Sequence, residues 1–371
     1  MIYFDNAATG GFKPRTVFDA AENVMHYLSA NPGRSGHRLS VTGGKIVYDC
    51  RKELAELFDA QPERVVFTKN CTEALNLAIF GAIKEGGTVI TTTFEHNSVI
   101  RPLKHLENTK KINLKIAAPS ESKTLYEDIE RLMDESVKFV VMTAVSNVTG
   151  EVLPFKDVYK LCKSRGVKLI LDGAQAAGHI PLSVKTDADA IAVPGHKGLY
   201  GIMGSGALIL SENFEVSPLL FGGTGTSSKG FTQPSELPER LESGTLALPA
   251  IAALSEGVRF VKANSAHFKN VLEEYTEKLI SGLADLKVTV YSKPNPVGIV
   301  AFKVKNIPSQ DFADMLNEYD AAVRGGLHCS PLTHTYLNTL DDGLIRASLA
   351  PQNTSREIRY FLQAVSEIIS R

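Results

Sequence analysis

The stretch 167-VKLILDGAQAAGHIPLSVKTDADAIAVPGHKGLYG-201 decides the fold. VKLILDG (167–173) and ADAIAVPG (188–195) are short apolar runs that end in small-residue turns, the pattern of strands buried on both faces. Upstream, RVVFT (64–68), GTVITTT (87–93), INLKIA (112–117) and KFVVMTAV (138–145) read the same way, and GSGALIL (204–210) adds one more downstream. Between them lie helical stretches: TEALNLAIFGAI (72–83), NSVIRPLKHL (97–106), and segments near 123–134 and 154–165. Strands alternating with helices predict an α/β fold whose mostly parallel sheet is covered on both faces. Residues 15–30 and 46–58 repeat apolar positions at helical spacing and read as one-faced helices. The Gly-, Ser- and Pro-rich segment 221–245 carries little periodicity and reads as a long loop. Beyond it, helices at 249–264 and 265–285, strands at 288–292, 298–304 and 344–350, and helices at 309–319 and 355–370 form an α+β set, with a boundary near 250.

The chain has 371 residues, 43% hydrophobic and 22% charged, an ordinary globular balance that excludes a collagen-like, disordered or coiled-coil chain. Forty Lys+Arg stand against 41 Asp+Glu, so no bulk charge draws the chain to nucleic acid or anionic lipid, and neither a basic stripe nor metal-ligand spacing is visible. Cys50, Cys71, Cys162 and Cys329 lie far apart without a C-x-x-C pair, which argues against a disulfide framework and for a reducing compartment. The opening MIYFDNAATGG has neither a basic nor an apolar leader region, and apolar runs such as 139-FVVM-142 fall short of a membrane span. A cytoplasmic protein without nucleic-acid or membrane partners is expected.

In an open α/β sheet ligands bind beyond the carboxyl ends of the strands. The turn 69-KNCTEALN-76 carries Cys71 and Thr72 into a helix whose N-terminus would receive an anion, although Thr72 and Glu73 equally make an ordinary cap. In 94-FEHNS-98, His96 stands at a strand-to-helix turn, where a cap is the plain alternative. Asn147, in 146-SNVTGEVLP-154, serves a carboxylate or an Asx turn. Asp172, at the end of a buried strand, needs a cation or several donors. Lys197 follows it by 25 residues in the Gly-rich turn 194-PGHKGLYG-201. Pyridoxal phosphate asks for that combination: a lysine for its aldehyde, a carboxylate for its ring nitrogen and a helix N-terminus for its phosphate.

YFDNAAT (3–9), NCTEALN (70–76), FEHNS (94–98), SNVTGEVLP (146–154), LDGAQAAGH (171–179), GHKGLYG (195–201), LESGT (241–245), RGGLHCSP (324–331) and IRASLAPQNT (345–354) together resemble the cysteine desulfurases and selenocysteine lyases of the class V aminotransferase-like group, in the family's order from end to end. The resemblance implies fold type I of the pyridoxal phosphate-dependent transferases. It expects a large cofactor domain at 13–249, a small α+β domain built from 1–12 and 250–371, and a homodimer with shared sites. Lys197 would form the Schiff base and serve as base for the Cα proton. Asp172 would pair with the pyridine nitrogen, Gln175 with the phenolic oxygen, and His96 would stack on the ring. The Cys71–Thr72 turn and His196 would hold the phosphate, and Thr245 would reach the phosphate of the other subunit. Asn147 and Arg346 would bind the carboxylate of an amino-acid substrate. Cys329, in a Gly-flanked segment beside His328 and near Arg324, would take the substrate's sulfur as a persulfide.

Two departures from the SUF-type branch stand out. Pro194 occupies a position where a Ser or Thr phosphate ligand is common, and Leu327 replaces the first His of R-x-G-H-H-C. The short Cys329 segment is SUF-like and implies an acceptor protein or small thiol for the sulfur. Other readings on the same fold are selenocysteine cleavage, another β-lyase or transamination, and a catalytically inactive scaffold lies in a different class.

Overall fold

The computed structural model describes residues 1–33, 35–225 and 229–370. After the short strand β1 (Ile2–Tyr3) come helices α1 (Arg15–Tyr27) and α2 (Arg38–Leu57). The alternating series follows: β2 (Val65–Thr68), α3 (Cys71–Ala82), β3 (Thr88–Thr92), α4 (Asn97–Asn108), β4 (Asn113–Ala117), α5 (Leu125–Leu132), β5 (Val137–Thr143), α6 (Phe155–Arg165), β6 (Lys168–Asp172), β7 (Ala190–Pro194) and β8 (Gly206–Leu210). Strands β2 to β8 form one seven-stranded sheet in the order β2-β8-β7-β6-β5-β3-β4, parallel except for β8, which runs antiparallel to both neighbours. The expected α/β fold is present.

Period-two alternation sorts the strand residues between the two faces. Leu169 and Leu171 of β6 join a core with Val140, Ile191, Val158 and Cys162, whereas Ile170 joins the opposite one with Val141, Leu75 and Leu103. Helices close both faces, which is why these strands read as continuous apolar runs. Caps fix where the helices begin: Asn70 Oδ1 accepts from the Glu73 N–H at 2.9 Å, and Thr124 with Glu127 forms a capping box at the start of α5.

The remaining elements are α7 (Leu248–Asp285), β9 (Thr289–Val290), β10 (Ile299–Lys303), α8 (Ser309–Asn317), β11 (Ala321–Ala322), α9 (Pro331–Tyr336), β12 (Ile345–Ser348) and α10 (Ser355–Ile369). Strands β12-β10-β9 form an antiparallel sheet, and β1 pairs in parallel with β11. Phe4 from the N-terminus, Phe302, Phe312 and Phe361 fill the core beneath.

Several sequence expectations are corrected. The helices at 249–264 and 265–285 are one helix, because no Gly or Pro interrupts the junction around Asn264 and only the packing partner changes. Leu248, Ile251, Leu254 and Val258 pack in the core under the large sheet, while Leu272, Leu279 and Leu283 pack in the second core. Helix α2 begins at Arg38, eight residues before the expected 46. The pair Gly43–Gly44 hides this start, and a Cβ at Gly43 would stand 3.1 Å from Leu248 Cδ2, a tight fit between α2 and α7. The strand at 288–292 shrinks to β9, and β1, β11 and α9 are too short for periodicity to register. The described residues between 211 and 247 hold neither helix nor strand, and residues 226–228 of the expected loop lie outside the description. Among the described residues no helix is long and apolar enough to cross a membrane.

Two turns beyond the sheet touch directly: Gly178 has φ +84°, and a Cβ on it would overlap the Gly198 carbonyl. Gly178→Ala is therefore expected to lower the urea midpoint by an equivalent of about 2 kcal/mol or more. Gly166→Ala, with φ +67° but open space around it, should cost only about 1 kcal/mol.

Candidate active site

The carboxyl ends of the parallel strands, with Arg324, His328 and Arg346 from the C-terminal part of the chain, enclose a cavity of about 230 Å³. Its lining includes Cys71, Thr72, His96, Asn147, Asp172, Gln175, His196, Lys197 and Arg346. Nine residues singled out from the sequence thus meet in one place. Pro194, Arg324, His328 and Ser98 also line it.

Each wall follows from local chemistry. On α3, Asn70 occupies the Glu73 N–H, which leaves the N–H groups of Cys71 and Thr72 unused among the described residues. The Thr72 and Ser98 hydroxyls lie 2.8 Å apart. His96 is both cap and cavity wall: its Nδ1 accepts from the Ser98 N–H at 3.0 Å, so its ring proton is on Nε2, and burial lowers its pKa while Asp172 works the other way. Asp172, 2% exposed, accepts through Oδ1 from the Ala174 N–H at 2.9 Å and from the Cys71 thiol at 3.5 Å. Gln175 Nε2 donates to the Ala7 carbonyl at 3.0 Å.

The Lys197 turn is tied down through the carbonyl of His196, which accepts from the Gly10 N–H at 3.0 Å, Lys13 Nζ at 3.0 Å and Thr9 Oγ1 at 3.3 Å. Burial pushes the Lys197 pKa below its ordinary value, and Arg346 and Arg324 push the same way. Burial likewise takes His196 down to about 4, leaving a neutral imidazole near neutral pH.

On the far wall Arg346 donates to the Asn147 carbonyl at 2.9 Å, and Asn147 Nδ2 donates to the His328 carbonyl at 2.8 Å. Ser330 Oγ donates to Asn147 Oδ1 at 2.6 Å, so the Asn147 amide holds the Cys329 loop through its oxygen and one Nδ2 proton and keeps its second Nδ2 proton for another acceptor. His328 and Cys329 have φ +51° and +57°, two consecutive non-glycine residues in the left-handed region. The loop is pinned again by the Asn97 N–H, which donates to the Cys329 carbonyl at 2.7 Å. His328 is buried and neutral, its Nε2–H donating to the Leu344 carbonyl at 3.0 Å. Cys329 is exposed, with Arg324 Nη2 at 4.0 Å from its Sγ, whereas Cys50, Cys71 and Cys162 are buried.

Two expected residues stand apart. Cys329 is at the rim rather than in the lining, and Thr245 lines a separate pocket with Phe67, Lys69, Leu219 and Leu220. Of the departures, Pro194 sits in the cavity wall without a donor, and Leu327 is exposed. Sequence reasoning passed over Ser98, Asp5 and Glu95. All three lie inside quoted segments, Asp5 in YFDNAAT and Glu95 with Ser98 in FEHNS, but none was assigned a role.

His196 Nδ1 and Arg346 Nε are buried without a partner among the described residues. Orphaned donors and acceptors around a lysine, a buried carboxylate and a free helix N-terminus fit an anionic, carbonyl-bearing cofactor of the pyridoxal phosphate type.

The Aminotransferase class-V sequence model matches residues 2–361, and the chain belongs to that family. Within it, the similarity runs to cysteine desulfurases. A probable cysteine desulfurase of Pyrococcus abyssi is 31% identical over 388 residues, covering 100% of this chain and 94% of its own. A probable cysteine desulfurase of Synechocystis is 32% identical over 389 residues, covering 100% and 91%. Among solved structures, the apo cysteine desulfurase of Thermococcus onnurineus NA1 superposes with a TM-score of 0.93 at 31% identity, covering 100% of this chain and 94% of that one. The fold is that of the fold type I enzymes.

Glu95 yields a prediction from the same wall. It is fully buried, accepts from Thr92 Oγ1 and from the Thr143 N–H at 3.1 Å, and its Oε2 has no partner among the described residues. Burial, with Asp172 adding to it, raises its pKa to about 8. A carboxyl that keeps its proton in the folded chain but loses it in the unfolded one near 4.5 weakens the fold as pH rises from about 4.5 to 8. Urea unfolding across that window should show the wild type losing on the order of 1.4 kcal/mol per pH unit relative to Glu95→Gln. Parallel pH profiles for the two proteins would refute a proton on Glu95.

Proposed function

We propose that the cavity binds pyridoxal phosphate and that the chain is a cysteine desulfurase, converting L-cysteine to L-alanine and passing the sulfur to Cys329. The observation that carries this reading is the meeting of Lys197, Asp172, His96 and Arg346 in one cavity with an exposed thiol at its rim. When bound, pyridoxal phosphate supplies an electron sink for negative charge at the substrate Cα.

The residues divide the remaining work. Asp172, held by the Ala174 N–H, keeps a negative charge available for a ring N–H. Cys71, Thr72 and neutral His196 would hold the phosphate, Gln175 would serve the phenolic oxygen, and His96 would lie against the ring. Asn147 and Arg346 take the substrate carboxylate, Arg346 through the N–H groups it does not spend on the protein. Lys197, with its pKa lowered, takes the Cα proton and returns a proton to carbon. Cys329 attacks the substrate sulfur as a thiolate beside Arg324, so that the Cβ–S bond breaks as an S–S bond forms. The balance is L-cysteine plus Cys329 thiol giving L-alanine plus Cys329 persulfide. An acceptor protein or small thiol then removes the outer sulfur from the exposed rim. Thr245, outside its own chain's cavity, serves the phosphate of a second copy in a homodimer.

Three measurements test this. Borohydride reduction of the yellow holoprotein should fix the cofactor on Lys197, and label on another lysine would sink the reading. Cys329→Ala should retain cofactor and bind L-cysteine but lose alanine and sulfide production from it, while selenocysteine cleavage partly survives because selenium leaves more readily. Sulfide release from L-cysteine at the wild-type rate would make the protein a simple β-lyase. Thr245→Ala should lose cofactor on dialysis faster than the wild-type dimer does, and a fully loaded, active monomer would count against shared sites.

A further inference from the structure

A carboxylate stands against the guanidinium assigned to the substrate's carboxylate. Arg346, 2% exposed, donates from Nη1 to the Asn147 carbonyl at 2.9 Å and from Nη2 to Asp5 Oδ1 at 3.1 Å, while Nε stays buried without a partner among the described residues. Asp5 follows β1 and bridges in parallel to Ser348, two residues beyond Arg346 on β12. The guanidinium is a rigid fork of five N–H groups. Its two anchors leave Nε–H and one proton each on Nη1 and Nη2, and Nε–H with Nη2–H is the pair that a bidentate carboxylate requires. With one anchor the plane rolls about a single hydrogen bond; with two, its free edge is fixed.

Asp5 also bears on charge. Burial disfavours the charge on Arg346, the exposed Arg324 nearby adds to that, and Asp5 offsets it. A charge-only role would be lost with any neutral side chain, whereas an orienting role needs only an acceptor oxygen at the position of Oδ1.

We propose that Asp5 is a positioning residue: it fixes the roll of Arg346 and thereby makes the cavity select ligands that carry an α-carboxylate. The inference rests on the reading of Arg346 as the carboxylate site, so the test keeps the two separable. The holoprotein is titrated with L-alanine, the inert product, and with ethylamine, the same molecule without its carboxylate, and binding is followed by the absorbance of the bound cofactor. Asp5→Ala should weaken L-alanine about tenfold and leave ethylamine within about twofold. Asp5→Asn, which keeps the acceptor oxygen, should stay within about threefold of wild type for both. With L-cysteine, Asp5→Ala should raise KM about tenfold while kcat moves less than about threefold. Should the alanine variant fail to fold, Asp5→Ser carries the same expectations. The proposal is overturned if Asp5→Ala binds L-alanine as wild type does, if it loses both ligands alike, or if Asn is no better than Ala. A wild-type protein indifferent between L-alanine and ethylamine would remove the Arg346 reading, and this inference with it.

Discussion

A guanidinium 2% exposed cannot be left without compensation, and the compensation of Arg346 joins three distant parts of the chain. Its acceptors are the Asn147 carbonyl, after the fifth strand of the large sheet, and Asp5, at the N-terminus, while the residue itself lies on a strand of the small sheet. Removing either partner would leave a buried charge exposed to the low-dielectric interior. The place where the large sheet meets β12 is therefore polar where the cavity opens.

Glycine does for the sheet end what the guanidinium does for that meeting place. The turn after β6 and the turn after β7 approach until Gly178 meets the Gly198 carbonyl, and a Cβ on Gly198 would in turn overlap the Ala177 carbonyl. Gln175 belongs to the first turn and Lys197 to the second. Bare backbone at the contact lets Asp172, at the end of β6, Gln175 and Lys197 line one small space.

Much of this was legible because strand ends in an α/β sheet announce themselves: an apolar run stops, a small or capping residue follows, and the polar residue between them has few places to go. His96 shows why a cap and a site are not alternatives, since its Nδ1 caps the helix while its ring lines the cavity. Glu95, one position earlier, gave no such signal, because a buried carboxyl next to a histidine looks in sequence like any solvated one. Asp5 and Arg346 are separated by 341 positions, so their pairing exists only in the folded chain. Gly43 and Gly44 have low helix propensity, yet both lie inside α2, where Gly43 packs close to Leu248 and Gly44 close to Gly33. The departures at Pro194 and Leu327 were visible as substitutions, but their surroundings, a wall without a donor and an exposed side chain, were not.

The uninterrupted α7 has a mechanical consequence. At 38 residues it is a rod about 57 Å long, clamped at one end between α1 and α2 and at the other inside the phenylalanine-rich core. A flexible linker would let the two units swing independently, whereas a continuous rod permits only gentle curvature, with radii of roughly 60–100 Å, or torsion about its own axis. Beyond Lys262, which is paired with Glu53 and Glu56 of α2, the side chains of residues 263–267 are exposed or half-buried. Any change of angle between the elements packed on its two ends must therefore be absorbed along α7 by that curvature or torsion.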